Sequence, residues 1–174
     1  VFSIIEERAE DQDDVLQLAR LSLGNRLTDS PAARMRAGTE PVPGLSMIVL
    51  ENDQLVGTIR YWPMLIGPGT KAIQLGPVAI HPDHRGRGFA RMLIRYSLDR
   101  AQALGHRLVV LIGDHALYQR YGFEPALPHG IVLPEIEDRD RLQILALTSG
   151  ALDGLSGAVR GDTIPSLPDR RLLA

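Results

Sequence analysis

The amino-acid sequence predicts one α/β domain: a mixed, mostly antiparallel sheet with one parallel βαβ crossover and helices on both faces. Three observations lead there. Two apolar stretches, 45–51 and 54–61, flank Asn52-Asp53, a two-residue turn of hairpin type. The run RLVVLI at 107–112 is continuously apolar, as in a strand buried on both faces. Between it and an apolar strand at 75–80 lies a helical pattern, and strand, helix, strand in that order argues a right-handed parallel crossover.

The elements follow in chain order. Residues 2–7 alternate weakly and read as a first strand. Glu10, Asp11, Asp13 and Asp14 suit a helix N-terminus, Val15, Leu18, Ala19 and Leu23 then share one face, and Gly24 ends the helix. Ser30-Pro31 marks a short helix over 32–37, because proline fits the first helical turn. Residues 38–44, with their prolines and glycines, are loop. After the first hairpin the strand from Gln54 continues to Ile66, and Gly67-Pro68-Gly69 turns it into a strand over 71–80. From Phe89 the apolar residues Phe89, Leu93, Tyr96, Ser97, Ala101 and Leu104 mark one helical face, with Arg91, Arg95, Asp99 and Arg100 mostly exposed and Gly105 as the stop. Residues 115–121 form a short helix closed by Gly122, a proline-rich loop follows Phe123, and 141–147 make a last strand. The stretch from Ser149 reads as a loose extension with a short strand near Ala158. One domain over 1–148 and an extension over 149–174 are therefore expected.

The residues between the strand at 75–80 and its helix carry the chemistry. Pro82 stops the strand, since proline cannot donate to a sheet ladder. Gly86 and Gly88 let the backbone turn tightly and approach a ligand. A helix starting there offers unpaired N–H groups and the positive end of its dipole, an anion site that phosphate commonly fills. Arg85, Arg87 and Arg91 are expected to add their charges at the same place. The alternative is a solvated turn whose arginines only keep the chain soluble.

Arg85-Gly86-Arg87-Gly88-Phe89-Ala90 resembles the R/Q-x-x-G-x-G/A signature of the GNAT superfamily, the acetyl-CoA-dependent N-acetyltransferases. Val78-Ala79-Ile80-His81-Pro82 before it and Leu117-Tyr118-Gln119-Arg120-Tyr121-Gly122-Phe123 after it are similar to the same family in order and spacing, and the resemblance spans roughly residues 3–148. It implies a GNAT-like acyl-CoA N-acyltransferase fold with acetyl-CoA as co-substrate. It also implies a cofactor site made of Val78, Ala79, Ile80, Arg85, Gly86, Arg87, Gly88, Phe89, Ala90 and Arg91. Tyr118 falls where the family has the tyrosine that protonates the departing thiolate, and residues 25–44 fall in its acceptor wall. A phenol of pKa about 10 is a suitable acid for a thiolate of pKa about 8.5; the competing reading of Tyr118 is a ring packed in the core with a wet hydroxyl. Tyr121 is read as packing. The chain departs from the pattern in two places. No glutamate lies between Lys71 and Ile80 to act as base, which leaves Asp114, His115, His81 or water, and Gly113-Asp114 replaces an asparagine that contacts the pantetheine arm.

Composition bounds the remaining classes. A net charge of −2 gives no case for nucleic-acid binding. The absence of cysteine removes a thiolate nucleophile, a disulfide frame and a Cys-based metal site, and no metal is expected. No apolar run approaches the roughly 20 residues that cross a bilayer, and no signal-peptide pattern opens the sequence, so a cytoplasmic protein without a membrane partner is expected. The partner is then a small-molecule or peptide amine acceptor, with a homodimer left open. A dinucleotide-binding unit is disfavoured, because Arg91 stands where the third glycine of that motif belongs. A non-catalytic acyl-CoA-binding or partner-binding module on the same fold is the other alternative, supported by the missing strand carboxylate.

Overall fold

The computed structural model describes residues 1–163. The expected extension over 149–174 therefore reaches beyond the described residues, and 164–174 lie outside them. Strand β1 (Phe2–Glu6) pairs antiparallel with β2 (Met47–Glu51), which turns into β3 (Gln54–Ile66). Asn52 and Asp53 have φ of 48° and 62°, the two left-handed residues that a tight hairpin of the right twist demands. β3 pairs with β4 (Thr70–Ile80), β4 runs parallel to β5 (Leu108–Ile112), and the sheet goes on through antiparallel β8 (Leu142–Ala146) to a two-residue β6 (Glu124–Pro125). The mixed sheet with one parallel crossover is thus the observed architecture.

Helix α1 (Gln12–Leu23) follows a 3-10 turn in which Arg8 grips Asp11 through two guanidinium nitrogens and its backbone N–H, at 2.8–2.9 Å. Helix α2 (Pro31–Arg36) starts at Ser30, whose hydroxyl accepts from the Ala33 N–H at 3.1 Å. Helix α3 (Phe89–Ala103) crosses from β4 to β5 and packs Leu93, Ile94, Leu98 and Ala101 onto the sheet. Here the expected face needs correcting. Phe89, Leu93, Ser97 and Ala101 are buried, but Tyr96 and Leu104 are each 48% exposed, and Ile94 and Leu98 take their places. The buried stripe runs i, i+1, i+4, i+5, so it sits one residue round from the path through Tyr96, and Leu104 lies past the last helical turn. Beneath α3 the hydroxyls of Tyr61 and Ser97 lie 2.7 Å apart in the core.

The stretch after Ser149 carries the short strand expected near Ala158 but is not loose. Ala151, Leu152 and Leu155 pack on the second apolar core, and β9 (Gly157–Gly161) pairs antiparallel with Met64–Ile66 and in parallel with β7 (Ile131–Val132). The reason lies in β3, which loses β2 as a partner after Ile59 and would otherwise show an open edge. The first glycine of β9 makes close contact possible: a Cβ on Gly157 would sit 2.7 Å from the Gly67 Cα, so the two backbones touch.

Two irregularities in the sheet make room for a site. Opposite Arg60, between the pairs Ile59↔Val78 and Tyr61↔Leu75, β4 carries two residues, Gly76 and Pro77. On its other side β4 meets β5 only at Ile73↔Val109 and Gln74↔Val110. Past that point the parallel strands part. Short helix α4 (His115–Tyr118) follows the free end of β5.

Candidate active site

The parting strands open a cleft of about 840 Å³ whose walls come from Leu75 to Val78, from Leu111 to Asp114, from α2 and from residues 135–138. A second cavity of about 330 Å³ lies over the start of α3 and is lined by Val78, Ile80, Arg85, Gly86, Gly88, Phe89 and Ala90. Val78 and Tyr118 line both. The two spaces therefore meet at one strand residue and one phenol.

The backbone of β4 is set for this. His81 N–H bonds to Val56 O at 2.8 Å, and antiparallel ladders alternate bonded and non-bonded pairs. Since Thr58 stands opposite Ala79, that pair bonds, and the peptide groups of Val78 and Ile80 point away from β3. They face the side that β5 has left. Ala79, expected with them, differs: its side chain is fully buried, its backbone belongs to the β3 ladder, and it lines neither cavity.

The loop forms as its glycines require. Gly86 and Gly88 have φ of 76° and 87°, and a Cβ on either would meet no heavy atom within 4 Å, because it would project into open space. Met92 N–H is the first in α3 to bond back, to Gly88 O at 3.0 Å, which leaves the N–H groups of Phe89, Ala90 and Arg91 over. The three arginines do not converge, however. Arg85 lines the loop cavity and donates to Ser22 Oγ at 3.2 Å. Arg87 turns to Glu51, which it grips with two nitrogens at 2.8 and 2.5 Å, and lies 4.9 Å over the Phe89 ring. Arg91 is exposed and its side chain lines neither cavity. Arg85 and Arg87 lie in the loop before the helix and Arg91 on its first turn, so no shared element aims the three guanidinium groups in one direction. Among the described residues no three His, Asp or Glu side chains cluster as a metal site, and no helix is long and apolar enough to cross a membrane.

Tyr118 is half-buried, with its ring edge-on to Phe123 at 6.1 Å. A Cβ on Gly113 would lie 2.6 Å from Tyr118 Cε2, so the glycine is what lets the ring lie where it does. Burial pushes the phenol above its ordinary pKa, with Tyr121 and Asp114 adding to the effect and Arg141 opposing it. The hydroxyl therefore keeps its proton through the neutral range. Of the groups considered as base, only Asp114 lines the cleft. His115 Nδ1 lies 3.1 Å from Gln143 Oε1, and His81 Nδ1 accepts from the Asp83 N–H at 3.2 Å; both rings lie outside the two cavities. Sequence reasoning missed Arg36 and the acids Glu135, Glu137 and Asp138 on the cleft wall. The only local signal was a run of acids in a proline-rich loop, which reads as a solvated connector.

A family model described as an acetyltransferase (GNAT) domain matches residues 3–126. The chain belongs to the GNAT acetyltransferases. Among GNAT proteins it is 31% identical over 117 residues to the uncharacterized N-acetyltransferase YhbS of Escherichia coli K12, an alignment covering 66% of this chain and 70% of that one. The crystal structure of Escherichia coli YhbS in complex with CoA superposes with a TM-score of 0.79 at 26% identity, covering 92% of this chain and 89% of that one. A GNAT acetyltransferase from Brucella melitensis in complex with acetyl-CoA gives a TM-score of 0.70 at 28% identity, covering 92% and 95%.

Proposed function

We propose that this GNAT chain transfers the acetyl group of acetyl-CoA to a primary amine by direct attack in a ternary complex. The observation that carries the reading is the meeting of the loop cavity and the cleft at Val78 and Tyr118. One space suits a pyrophosphate and the other an acceptor, and the groups that acetyl transfer needs lie where they join. The binding of CoA and acetyl-CoA by the two structural relatives supports the same assignment.

In this reading acetyl-CoA supplies an activated carbonyl, and the chain holds it. The N–H groups of Gly88, Phe89 and Ala90, with Arg85, take the pyrophosphate; Gly86 and Gly88 leave room for it. Arg87 holds the loop in shape through Glu51, and Arg91 contributes its backbone N–H. Ala79 keeps the strand in the ladder so that Val78 and Ile80 can turn their peptide groups to the pantetheine arm and the thioester oxygen. The amine nitrogen attacks from the cleft, the N–C bond forms, and the C–S bond breaks. Attack makes the nitrogen acidic, and Asp114 receives its proton. Tyr118 gives its proton to the departing thiolate, and the raised phenol pKa keeps that proton available. We take residues 1–148 as the transferase domain and 149–174 as an extension stitched to it through β9.

Calorimetry with acetyl-CoA, NAD and ATP, joined to thiol release over a panel of amines, tests the reading. Acetyl-CoA should bind and raise the melting temperature, NAD and ATP should not, and at least one amine should release CoA. Tighter binding of NAD, or binding of acetyl-CoA without turnover on any amine, would contradict it.

A further inference from the structure

Beside the cleft lies a smaller cavity of about 200 Å³, and Arg36 and Pro77 line both spaces. Its walls are mostly apolar, from Val15, Ala19 and Leu27 to Trp62. Two polar features stand out in it. Thr58 is 1% exposed, and its hydroxyl finds no hydrogen-bond partner among the described residues. A buried hydroxyl left without a partner is costly, and a ligand's polar group would relieve it.

Arg36 is the second feature. Its Nη2 donates to Leu27 O at 2.9 Å, and its guanidinium lies 5.6 Å from the Trp62 ring centre. Among the described residues no carboxylate pairs with it. Its neighbour Arg60 in the same cavity is unlike it, since Glu7 already answers that charge with two oxygens at 3.0 and 2.5 Å. Burial shifts Arg36, and it lowers the pKa, as expected for a desolvated cation with no carboxylate in salt-bridge contact.

We propose that Arg36 and the side cavity select the acceptor: a small primary amine bearing a carboxylate for Arg36 and an apolar group for the cavity, the chemistry of an apolar α-amino acid. This rests on the acetyl-transfer reading above. In such a molecule the amine, the carboxylate and the side chain leave one carbon. The chain offers the matching arrangement along one wall, because Pro77, at the mouth of the side cavity, precedes Val78, where the cleft meets the loop cavity. The Thr58 hydroxyl meets the edge of the carboxylate or its water. Bonds made and broken are those of acetyl transfer, with the α-nitrogen as the nucleophile.

The test compares leucine, leucinamide and isopentylamine in two measurements: calorimetry on CoA-loaded protein, and thiol release with acetyl-CoA. Leucine should bind the CoA-loaded protein and exceed both analogues in kcat/KM by at least about tenfold, the scale of one charge-assisted hydrogen bond. Arg36→Gln should bring leucine and leucinamide within about threefold of each other, while Arg36→Lys keeps part of the preference. Thr58→Val should raise KM for leucine a few-fold with acetyl-CoA affinity unchanged. If Arg36→Gln fails to fold, the leucine-to-leucinamide ratio of the parent and the Thr58→Val variant still decide. Failure of acetyl-CoA to bind would sink the underlying reading and the proposal with it. Acetyl-CoA binding with equal turnover of isopentylamine, or with turnover only of a lysine peptide, leaves acetyl transfer standing and overturns the acceptor assignment.

Discussion

The loop cavity and the cleft are built in opposite ways. The loop cavity comes mainly from one stretch of chain, Val78 to Ala90, with Ser22, Ile94 and Tyr118 completing it, and that stretch is shaped locally by two left-handed glycines and the first turn of α3. The cleft is assembled from four distant pieces: Leu23 to Arg36, Leu75 to Val78, Leu111 to Tyr118 and Glu135 to Arg141. A site made by one segment can be read from its letters. A site made by four depends on how strands part, and substitutions in the two regions should therefore fail differently.

Gly88→Val should give the largest effect. It places a branched side chain at φ 87° and in the space of the loop cavity, so acetyl-CoA affinity should fall below detection in calorimetry while the fold persists. Retained affinity would mean that the pyrophosphate lies elsewhere. At the junction, Tyr118→Phe keeps the ring and removes the proton; kcat should drop about 10²-fold, the lower end of general acid catalysis. The matched Tyr121→Phe should stay within a few-fold in the same assay. A loss of affinity in step with rate in Tyr118→Phe would turn the hydroxyl from an acid into a tether.

Gly113→Ala asks whether the position of that ring matters by itself. Its methyl group would press on Cε2, so kcat should fall roughly tenfold, the scale of a misplaced catalytic group, with acetyl-CoA affinity retained. Parental kcat in stopped-flow turnover would show that the ring yields without cost.

The arginines divide what looked uniform in the sequence. Arg85→Ala should weaken acetyl-CoA by about 1–3 kcal/mol, because Arg85 lines the loop cavity and no carboxylate among the described residues pairs with it. Arg87→Ala should weaken it less than Arg85→Ala does, because that side chain already serves Glu51. The Glu51 carboxyl is held below its usual pKa first by Arg87 and then by His84, so the pair contributes above the unfolded carboxyl value of about 4.5 and is lost as pH falls through the lowered one. The small melting-temperature gap between parent and Arg87→Ala should close over that acid range. A gap that persists at low pH would mean that packing on Phe89, rather than the ion pair, is what the arginine supplies.

The same contrast explains what could be read in advance. Turn chemistry at Asn52-Asp53, the run at 107–112 and the glycines at 86 and 88 are local, and each produced the element expected. What escaped was non-local. The parting of β4 from β5 after Gln74 is marked in the letters only by Gly76-Pro77, which does not say which strand leaves, and the convergence of Arg36, Thr58 and Pro77 joins a helix end to two strands. Three arginines close in sequence suggested one charge cluster, yet a turn and a helix aim them apart. The strand expected near Ala158 is there, but the letters understated how firmly it is held: Gly157 and Gly67 touch backbone to backbone, a contact that leaves no room for a Cβ.

The central claim is that chemistry occurs where the two cavities meet, with Tyr118 as the acid. It is tested most directly by the pH dependence of kcat at saturating acetyl-CoA and acceptor, for the parent and for Tyr118→Phe. A phenol raised by burial stays protonated past its ordinary value of about 10, so the parent should hold its plateau through pH 9 and decline only beyond about 10. Tyr118→Phe should run about 10²-fold lower with that alkaline decline gone. An alkaline limb of the same position in both proteins would contradict the account, since the proton would then come from another group.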